Sequence, residues 1–128
     1  MIITNINELL TIKPILQELA ATPMSAKDGF NVLRTLKAVD KEYEMIVEIQ
    51  RNMLEKYAMR DADGNVIPDE NGSYIIDKEK QQEYIAEASQ FLSTEIELDV
   101  KPFAWSILEN LVITPTQLSM IEKFIEKE

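Results

Sequence analysis

The alternation of apolar and polar residues is most regular over residues 26–59. Apolar side chains there follow an alternating four-and-three spacing, the a/d pattern of a helix that buries one seam over more than three heptads. The seam consists of Val32, Leu36, Val39, Tyr43, Ile46, Gln50, Met53 and Tyr57, of which only Gln50 is polar. At about 1.5 Å per residue, such a helix is roughly 50 Å long. The pattern predicts a long amphipathic helix as the central element.

Two interpretations of this seam are open. Either the helix is a spine that the other helices of the chain cover, or part of the seam pairs with a second copy, with Gln50 fixing the register. We expect the spine, with the stretch from Val32 to Ile46 covered by the other helices. The other end of the seam, with Gln50, Met53 and Tyr57, is then the predicted site of a weak homodimer or of a partner protein.

Shorter amphipathic helices are predicted on both sides of the long one. The first covers residues 6–21, with Asn5 and Glu8 forming a capping box in which each side chain bonds the other residue's amide. Pro14 lies inside this helix, lacks an N–H and crowds the preceding turn. We therefore expect a kink or a short break near residues 12–13.

The second half of the chain predicts two further helices and a short turn. One helix covers residues 78–93 after the cap residue Asp77, and its predicted apolar face consists of Tyr84, Ile85, Ala88, Phe91 and Leu92. Residues 103–108 indicate a short helical turn. The last helix begins at Thr114, because a proline follows it directly and a glutamine lies three residues on. Its predicted buried face consists of Leu118, Ile121, Phe124 and Ile125.

A small sheet is expected between these helices. Residues 61–76 are rich in turn formers, and the apolar segments 66–68 and 73–76 predict a β-hairpin. An isolated hairpin is marginal in water, so a third strand is needed, and residues 95–100 supply it by strict alternation. The elements together predict an α+β fold, mainly α, as a single domain of residues 1–128. It has a long central helix, three or four shorter helices and a small antiparallel sheet of one hairpin plus one strand.

The net charge is −10, from 13 basic and 23 acidic side chains, which argues against direct binding of nucleic-acid phosphates. Residues 1–60 hold eight side chains of each sign, so all of the excess negative charge lies in residues 61–128. An uneven field of this kind can steer a basic partner, or it can be a solvated surface that keeps the protein soluble. We expect the solvated surface.

The chain contains neither histidine nor cysteine. It therefore lacks the commonest general base, thiol nucleophiles, disulfides and the usual ligands of zinc, haem and iron–sulfur clusters. Its three glycines form neither a glycine-rich phosphate loop nor a Gly-x-Ser-x-Gly elbow. Most carboxylates fall on predicted exposed faces, where they are poor general acids. We expect no enzyme activity and no cofactor.

The segment Asp61-Ala-Asp63-Gly-Asn65 is similar to part of a calcium-binding EF-hand loop. A loop that begins at Asp61 has valine at the position of the invariant glycine and glycine at the position of the bidentate glutamate. A loop that begins at Met59 has a thioether as its first ligand. Since neither register completes the ligand set, we expect a hairpin turn and no metal site.

The densest group of aromatic residues is Phe103 with Trp105, and Met45, Met53 and Met59 add soft apolar surface to the long helix. Such side chains can line a promiscuous binding groove or fill a core. We expect them in the core.

Glu95, Glu97 and Asp99 form an acidic row on the predicted third strand, with about 6.6 Å between successive members. This distance is close to the phosphate spacing along one DNA strand. The row is the predicted contact of a protein that imitates DNA.

Several segments follow in a characteristic order: a leucine-rich first helix, a long charged helix and four later motifs. The long helix ends in Leu54-Glu-Lys-Tyr57, and the motifs are Asp63-Gly-Asn, Asp69-Glu-Asn-Gly-Ser-Tyr74, Leu92-Ser-Thr-Glu-Ile-Glu-Leu98 and Leu111-Val-Ile-Thr-Pro-Thr-Gln-Leu118. This order, over most of the chain, resembles a group of small acidic proteins of tailed phages and prophages of Gram-positive bacteria. The resemblance implies a phage-derived, cytoplasmic, non-enzymatic accessory protein and carries over no functional residues.

The first ten residues lack the basic flank and longer apolar run of a signal peptide. No apolar stretch approaches the ~20 residues that span a bilayer. We expect a cytoplasmic protein, in the host cell if phage-encoded, without membrane association. Its expected function is to contact a phage or host protein. The alternative is an acidic, DNA-mimic-like inhibitor of a host nucleic-acid-binding or defence protein.

Overall fold

The computed structural model describes residues 1–126, which form four α-helices, one two-stranded sheet and short 3₁₀ turns. In chain order the elements are β1 (Ile2–Asn5), α1 (Ile6–Ala20), α2 (Ala26–Tyr57), α3 (Gln81–Leu92), β2 (Glu95–Leu98) and α4 (Pro115–Ile121), with 3₁₀ turns at Lys78–Lys80, Trp105–Asn110 and Glu122–Phe124. The predicted class, α+β and mainly α with one long helix, is confirmed. None of the described helices has the length and apolar character that crossing a membrane requires.

The chain divides into two compact units. The first comprises Met1–Tyr43 and the chain from Thr94 onward, and the second is Glu44–Ser93. α2 contributes its beginning to the first unit and its end to the second. The single domain predicted for residues 1–128 stays a prediction.

The sheet lies in the first unit and joins the N-terminal strand to the acidic strand. β1 and β2 run antiparallel, with Ile2 opposite Leu98 and Ile3 opposite Glu97. Ile2 and Leu98 are buried on one face of the sheet, whereas Ile3 and Glu97 are exposed on the other. The alternation predicted for the acidic strand is confirmed.

α1 begins at the predicted cap. The Glu8 amide donates to Asn5 Oδ1 at 2.8 Å, which satisfies one free donor of the first turn. The Glu8 carboxylate was predicted to bond the Asn5 amide. It instead accepts hydrogen bonds from Thr4 Oγ1 at 2.8 Å and Lys123 Nζ at 2.7 Å. The helix continues through Pro14 without the predicted break. Pro14 lies on its exposed side, where water can satisfy the carbonyl that has lost its donor.

A lysine joins α1 to the middle of α2. Lys13 Nζ lies 3.4 Å from Asp40 Oδ1 and 3.5 Å from the ring centroid of Tyr43. The aromatic face and the carboxylate together attract the ammonium group.

The seam predicted for α2 is buried by this chain alone. Its buried members, each at most 7% exposed, are Val32, Val39, Ile46, Met53 and Tyr57, and its half-buried members are Leu36, Tyr43 and Gln50. Phe30 and Met45 lie on the opposite side of the helix and are exposed. The predicted amphipathic pattern is confirmed over the whole seam.

Backbone pairing with Phe103 holds the last segment of the first unit. The Phe103 amide donates to the Phe124 carbonyl at 2.6 Å, and the Glu126 amide donates to the Phe103 carbonyl at 2.7 Å. The two phenylalanine rings, each 1% exposed, stack with centroids 6.4 Å apart. α4 begins with the predicted box, in which Thr114 and Gln117 each accept the other's amide.

In the second unit, two matched turns stand where one hairpin turn was predicted. In each turn an aspartate Oδ1 accepts the amides two and four residues later: Asp61 from Asp63 and Asn65, and Asp69 from Asn71 and Ser73. Each turn then closes at a glycine with positive φ, 83° at Gly64 and 78° at Gly72, a conformation that glycine adopts without strain.

The predicted sheet of one hairpin plus one strand is wrong in its pairing. Pro68 and Tyr74 form an isolated antiparallel bridge, because Pro68 cannot donate to a longer ladder. Residues 95–98 pair with β1 instead of the hairpin. The sequence of β1, Ile2-Ile3-Thr4-Asn5, does not alternate between apolar and polar residues, so no such pattern marks it as a strand.

A 3₁₀ turn and α3 together cover the helix predicted over residues 78–93. Asp77 Oδ1 caps it by accepting the Glu79 amide at 3.0 Å. The Tyr84 ring packs edge-on against the Tyr57 ring, with centroids 5.9 Å apart. Ile85 is 54% exposed, so the apolar face of α3 is narrower than predicted.

Candidate protein-binding site

The candidate functional site is an apolar groove in the first unit with a volume of about 290 Å³. Residues from the 3₁₀ turn Trp105–Asn110, from α4 and from the segment after α4 line it, among them Trp105, Pro115, Leu118, Glu122, Ile125 and Glu126. We call this concavity the Trp105 groove.

Local sequence explains how the groove is built. Pro115 occupies the first turn of α4, where its missing N–H removes no helical hydrogen bond. The box at Thr114 fixes the start of that helix, and therefore the position of Leu118 one turn later. A parallel bridge between Phe103 and Ile125 positions the segment that follows α4.

The groove is apolar inside and acidic at its rim. Ile125 is 6% exposed, whereas Trp105 and Leu118 are 49% and 37% exposed. The carboxylates of Glu122 and Glu126 belong to exposed residues of the lining. An indole has both apolar surface and an N–H donor, so it suits an interface that is partly exposed to water. Concave apolar surface with few polar groups is typical of binding sites.

The lysine next to this rim in the sequence is engaged elsewhere. Lys123 Nζ lies 2.7 Å from the Glu8 carboxylate. The hydrogen bonds from Lys123 and Thr4 hold the pKa of the Glu8 carboxyl below its ordinary value. Among residues 1–126, no basic side chain lines the Trp105 groove. Within the part of the chain that the structure describes, no basic residue of the lining therefore balances the negative charge of the rim.

The seam residues predicted to contact a partner are largely covered by this chain. Met53 and Tyr57 are each 7% exposed and Gln50 is half-buried. Tyr84 of α3 covers part of Tyr57, a contact that the helical pattern did not reveal. Met53 and Tyr57 therefore expose little surface to a second copy.

The acidic residues predicted to contact a partner lie at the surface. Glu95, Glu97 and Asp99 are all exposed. Ile3, which is 51% exposed, lies opposite Glu97 in the sheet. The exposed side of the sheet therefore presents carboxylates around an aliphatic side chain.

The expectation that aromatic residues and methionines fill the core is correct only in part. Phe103 and Met53 are buried, whereas Trp105, Met45 and Met59 are 49%, 46% and 43% exposed. Only Ala104 separates Phe103 from Trp105, and the 3₁₀ turn begins at Trp105. One ring is buried and the other lies at the surface.

Leu118 is a groove residue whose burial the sequence pattern did not predict correctly. It was predicted on the buried face of the last helix and is 37% exposed. α4 has only seven residues. A helix of two turns contains too few apolar positions for their spacing to distinguish buried residues from half-exposed ones.

Within residues 1–126, no group of three or more acidic side chains is placed to hold a metal ion. The aspartates of the two turns accept backbone amides through Oδ1, as Asx turns do. The geometry of the groove, and not a metal site, is the basis for a functional proposal.

We expect millimolar calcium to leave the melting temperature unchanged within about 1 °C, because Asp61 and Asp69 already use one oxygen each to close a turn and neither loop register completes a coordination sphere. Thermal unfolding followed by circular dichroism, with magnesium as the control, measures this. A saturable rise in the melting temperature that only calcium produces would contradict the prediction.

Comparison with known proteins finds no matching family model, no matching curated protein and no matching solved structure.

Proposed function

We propose that this protein is a non-enzymatic accessory protein of the phage type that acts by binding another protein through the Trp105 groove. It acts in the cytoplasm of the host cell, on a phage or host protein. The observation that carries the proposal is the half-exposed Trp105 beside Leu118 in an apolar concavity.

Burial explains why this site is favoured over the end of α2. Tryptophan is among the residues that contribute most to binding energy at interfaces, especially near their centre. Trp105 is 49% exposed although its neighbour Phe103 is 1% exposed. Exposed apolar surface costs solubility unless a partner covers it, and single exposed side chains such as Val112 lack the surrounding concavity.

The test is capture of partners from a lysate of phage-infected Gram-positive cells by three forms of the full chain: wild type, Leu118→Ser and Met120→Ser. Leu118 lines the groove. Met120 lies on the same helix with a similar exposure of 40% and is the matched control. We expect Leu118→Ser to lose a captured protein that wild type and Met120→Ser retain at raised salt, since apolar contacts tolerate salt.

A captured protein that binds all three forms equally would contradict the proposed use of the groove. Circular dichroism of each variant establishes that a lost partner does not reflect lost folding.

The second candidate function is acidic inhibition of a nucleic-acid-binding or defence protein. The observation in its favour is the exposed row of Glu95, Glu97 and Asp99. A partner held by this row is basic, dissociates steeply as salt rises and is lost from the variant Glu95→Gln/Glu97→Gln. It is unaffected by Leu118→Ser.

A further inference from the structure

We infer that the occupant of the Trp105 groove is a protein segment in which one large apolar side chain is flanked by lysine or arginine. This inference rests on the proposed function and names the chemical class of the partner.

The size of the groove supports a side chain as its occupant. Its volume of about 290 Å³ lies at the lower end of the range for ligand pockets. That space accommodates one or two apolar side chains but not a whole helix face. An anchor side chain inserted beside Trp105 and Leu118 would bury the apolar surface that is now half exposed.

The charge of the rim supports basic flanks. Glu122 and Glu126 are exposed acidic residues of the lining. Among the residues that the structure describes, no lysine or arginine lines the groove, and Lys123 Nζ bonds the Glu8 carboxylate on α1. From Trp105 to the end, the chain has four glutamates and two lysines. A partner with acidic flanks would meet like charges at this rim, which costs free energy and disfavours it.

The exposed indole adds a second reason for a cation. A lysine ammonium or arginine guanidinium over the face of tryptophan is attracted by the ring quadrupole, and tryptophan is the best of the three aromatic residues for this contact. Arginine also forms paired hydrogen bonds with carboxylates. Trp105 with Glu122 and Glu126 therefore favours a segment that carries its cation within reach of its apolar anchor.

The experiment selects binders from a random-peptide library that lacks tryptophan. Wild-type protein is the target, and the Leu118→Ser variant removes peptides that bind elsewhere. A parallel selection uses Glu122→Lys/Glu126→Lys. The control is Glu44→Lys/Glu48→Lys, which changes the net charge equally at exposed residues outside the groove. Binding of selected peptides is then followed by fluorescence of Trp105, the single tryptophan of the chain.

We expect wild type to enrich peptides with a large apolar residue next to lysine or arginine. These peptides should shift Trp105 emission to shorter wavelength, since binding removes the indole from water. Their affinity for Glu122→Lys/Glu126→Lys should be about tenfold lower, because the variant replaces two surface ion pairs of ordinary strength with repulsion. In the control variant the affinity should fall much less. Selection on Glu122→Lys/Glu126→Lys should enrich acidic flanks.

Each other result overturns a specific statement. Leu118-dependent peptides with the same flanking charges on both targets would overturn the basic occupant and leave the proposed function standing. An equally large fall in affinity in Glu44→Lys/Glu48→Lys would assign the preference to overall charge and overturn the role of the rim. If no enriched peptide depends on Leu118, both the occupant and the proposed function of the groove are wrong.

Discussion

We expect Ile46→Asp to unfold the protein or to destabilise it severely. Ile46 is 3% exposed in the middle of the α2 seam, and the substitution would bury a carboxylate without a partner. Such a group costs several kcal/mol even after protonation, against about 5–15 kcal/mol for the whole stability of a small domain. Loss of the aliphatic side chain also leaves a cavity, which lowers the free energy of unfolding further.

The matched control is Met45→Asp, one residue earlier on the same helix. Met45 is 46% exposed, so its carboxylate would stay hydrated and cost little beyond helix propensity, about 0.5 kcal/mol. Urea unfolding followed by circular dichroism measures both variants. If Ile46→Asp unfolds at the same urea concentration as Met45→Asp, the assignment of Ile46 to the buried seam is wrong.

Helices were predictable from this sequence because their signals are local. The seam of α2 repeats over eight positions, and the caps at Asn5, Asp77 and Thr114 each consist of a side chain that bonds an amide within three residues. Such interactions need no knowledge of the rest of the chain. The ends of α1 and α2 accordingly fall within two residues of the predicted ends.

Strand pairing was not predictable because it depends on distant residues. β2 alternates clearly, but its partner strand, Ile2–Asn5, lies 90 to 96 positions away in the sequence. The matched turns at Asp61 and Asp69 do have a local signal, an aspartate with a glycine three residues later, which occurs twice eight positions apart. Read as a repeat, this signal would have predicted both turns.

The candidate site was only partly predictable for a similar reason. The sequence singles out Trp105 as the one tryptophan, but its environment depends on contacts between Phe103 and residues near 125. Seam periodicity marked Met53 and Tyr57 as apolar positions without revealing that Tyr84 of α3 packs against Tyr57. A heptad pattern identifies a buried surface and leaves open whether the same chain or another buries it.

A double substitution tests which side chains cover the Met53–Tyr57 end of α2. We expect the double substitution Met53→Glu/Tyr57→Glu to unfold at least the second unit, because both side chains are 7% exposed. The Tyr57 hydroxyl donates a hydrogen bond to the Glu87 carboxylate, which raises the pKa of Tyr57. A carboxylate introduced at position 57 would lie near Glu87. Repulsion between two carboxylates would replace that contact, and the edge-on packing of Tyr57 with Tyr84 would be lost.

The control carries the same charges on the exposed side of the same stretch of helix. Ile49→Glu/Asn52→Glu changes one residue that is 44% exposed and one exposed asparagine, and we expect it to stay folded. Circular dichroism reports the fold, and light scattering reports the mass in solution. A folded monomer from Met53→Glu/Tyr57→Glu, obtained from a wild-type dimer, would show that a second copy covers this end of α2. Loss of helix in that variant alone would show that the chain's own side chains cover it, and that binding of other proteins must use a different surface.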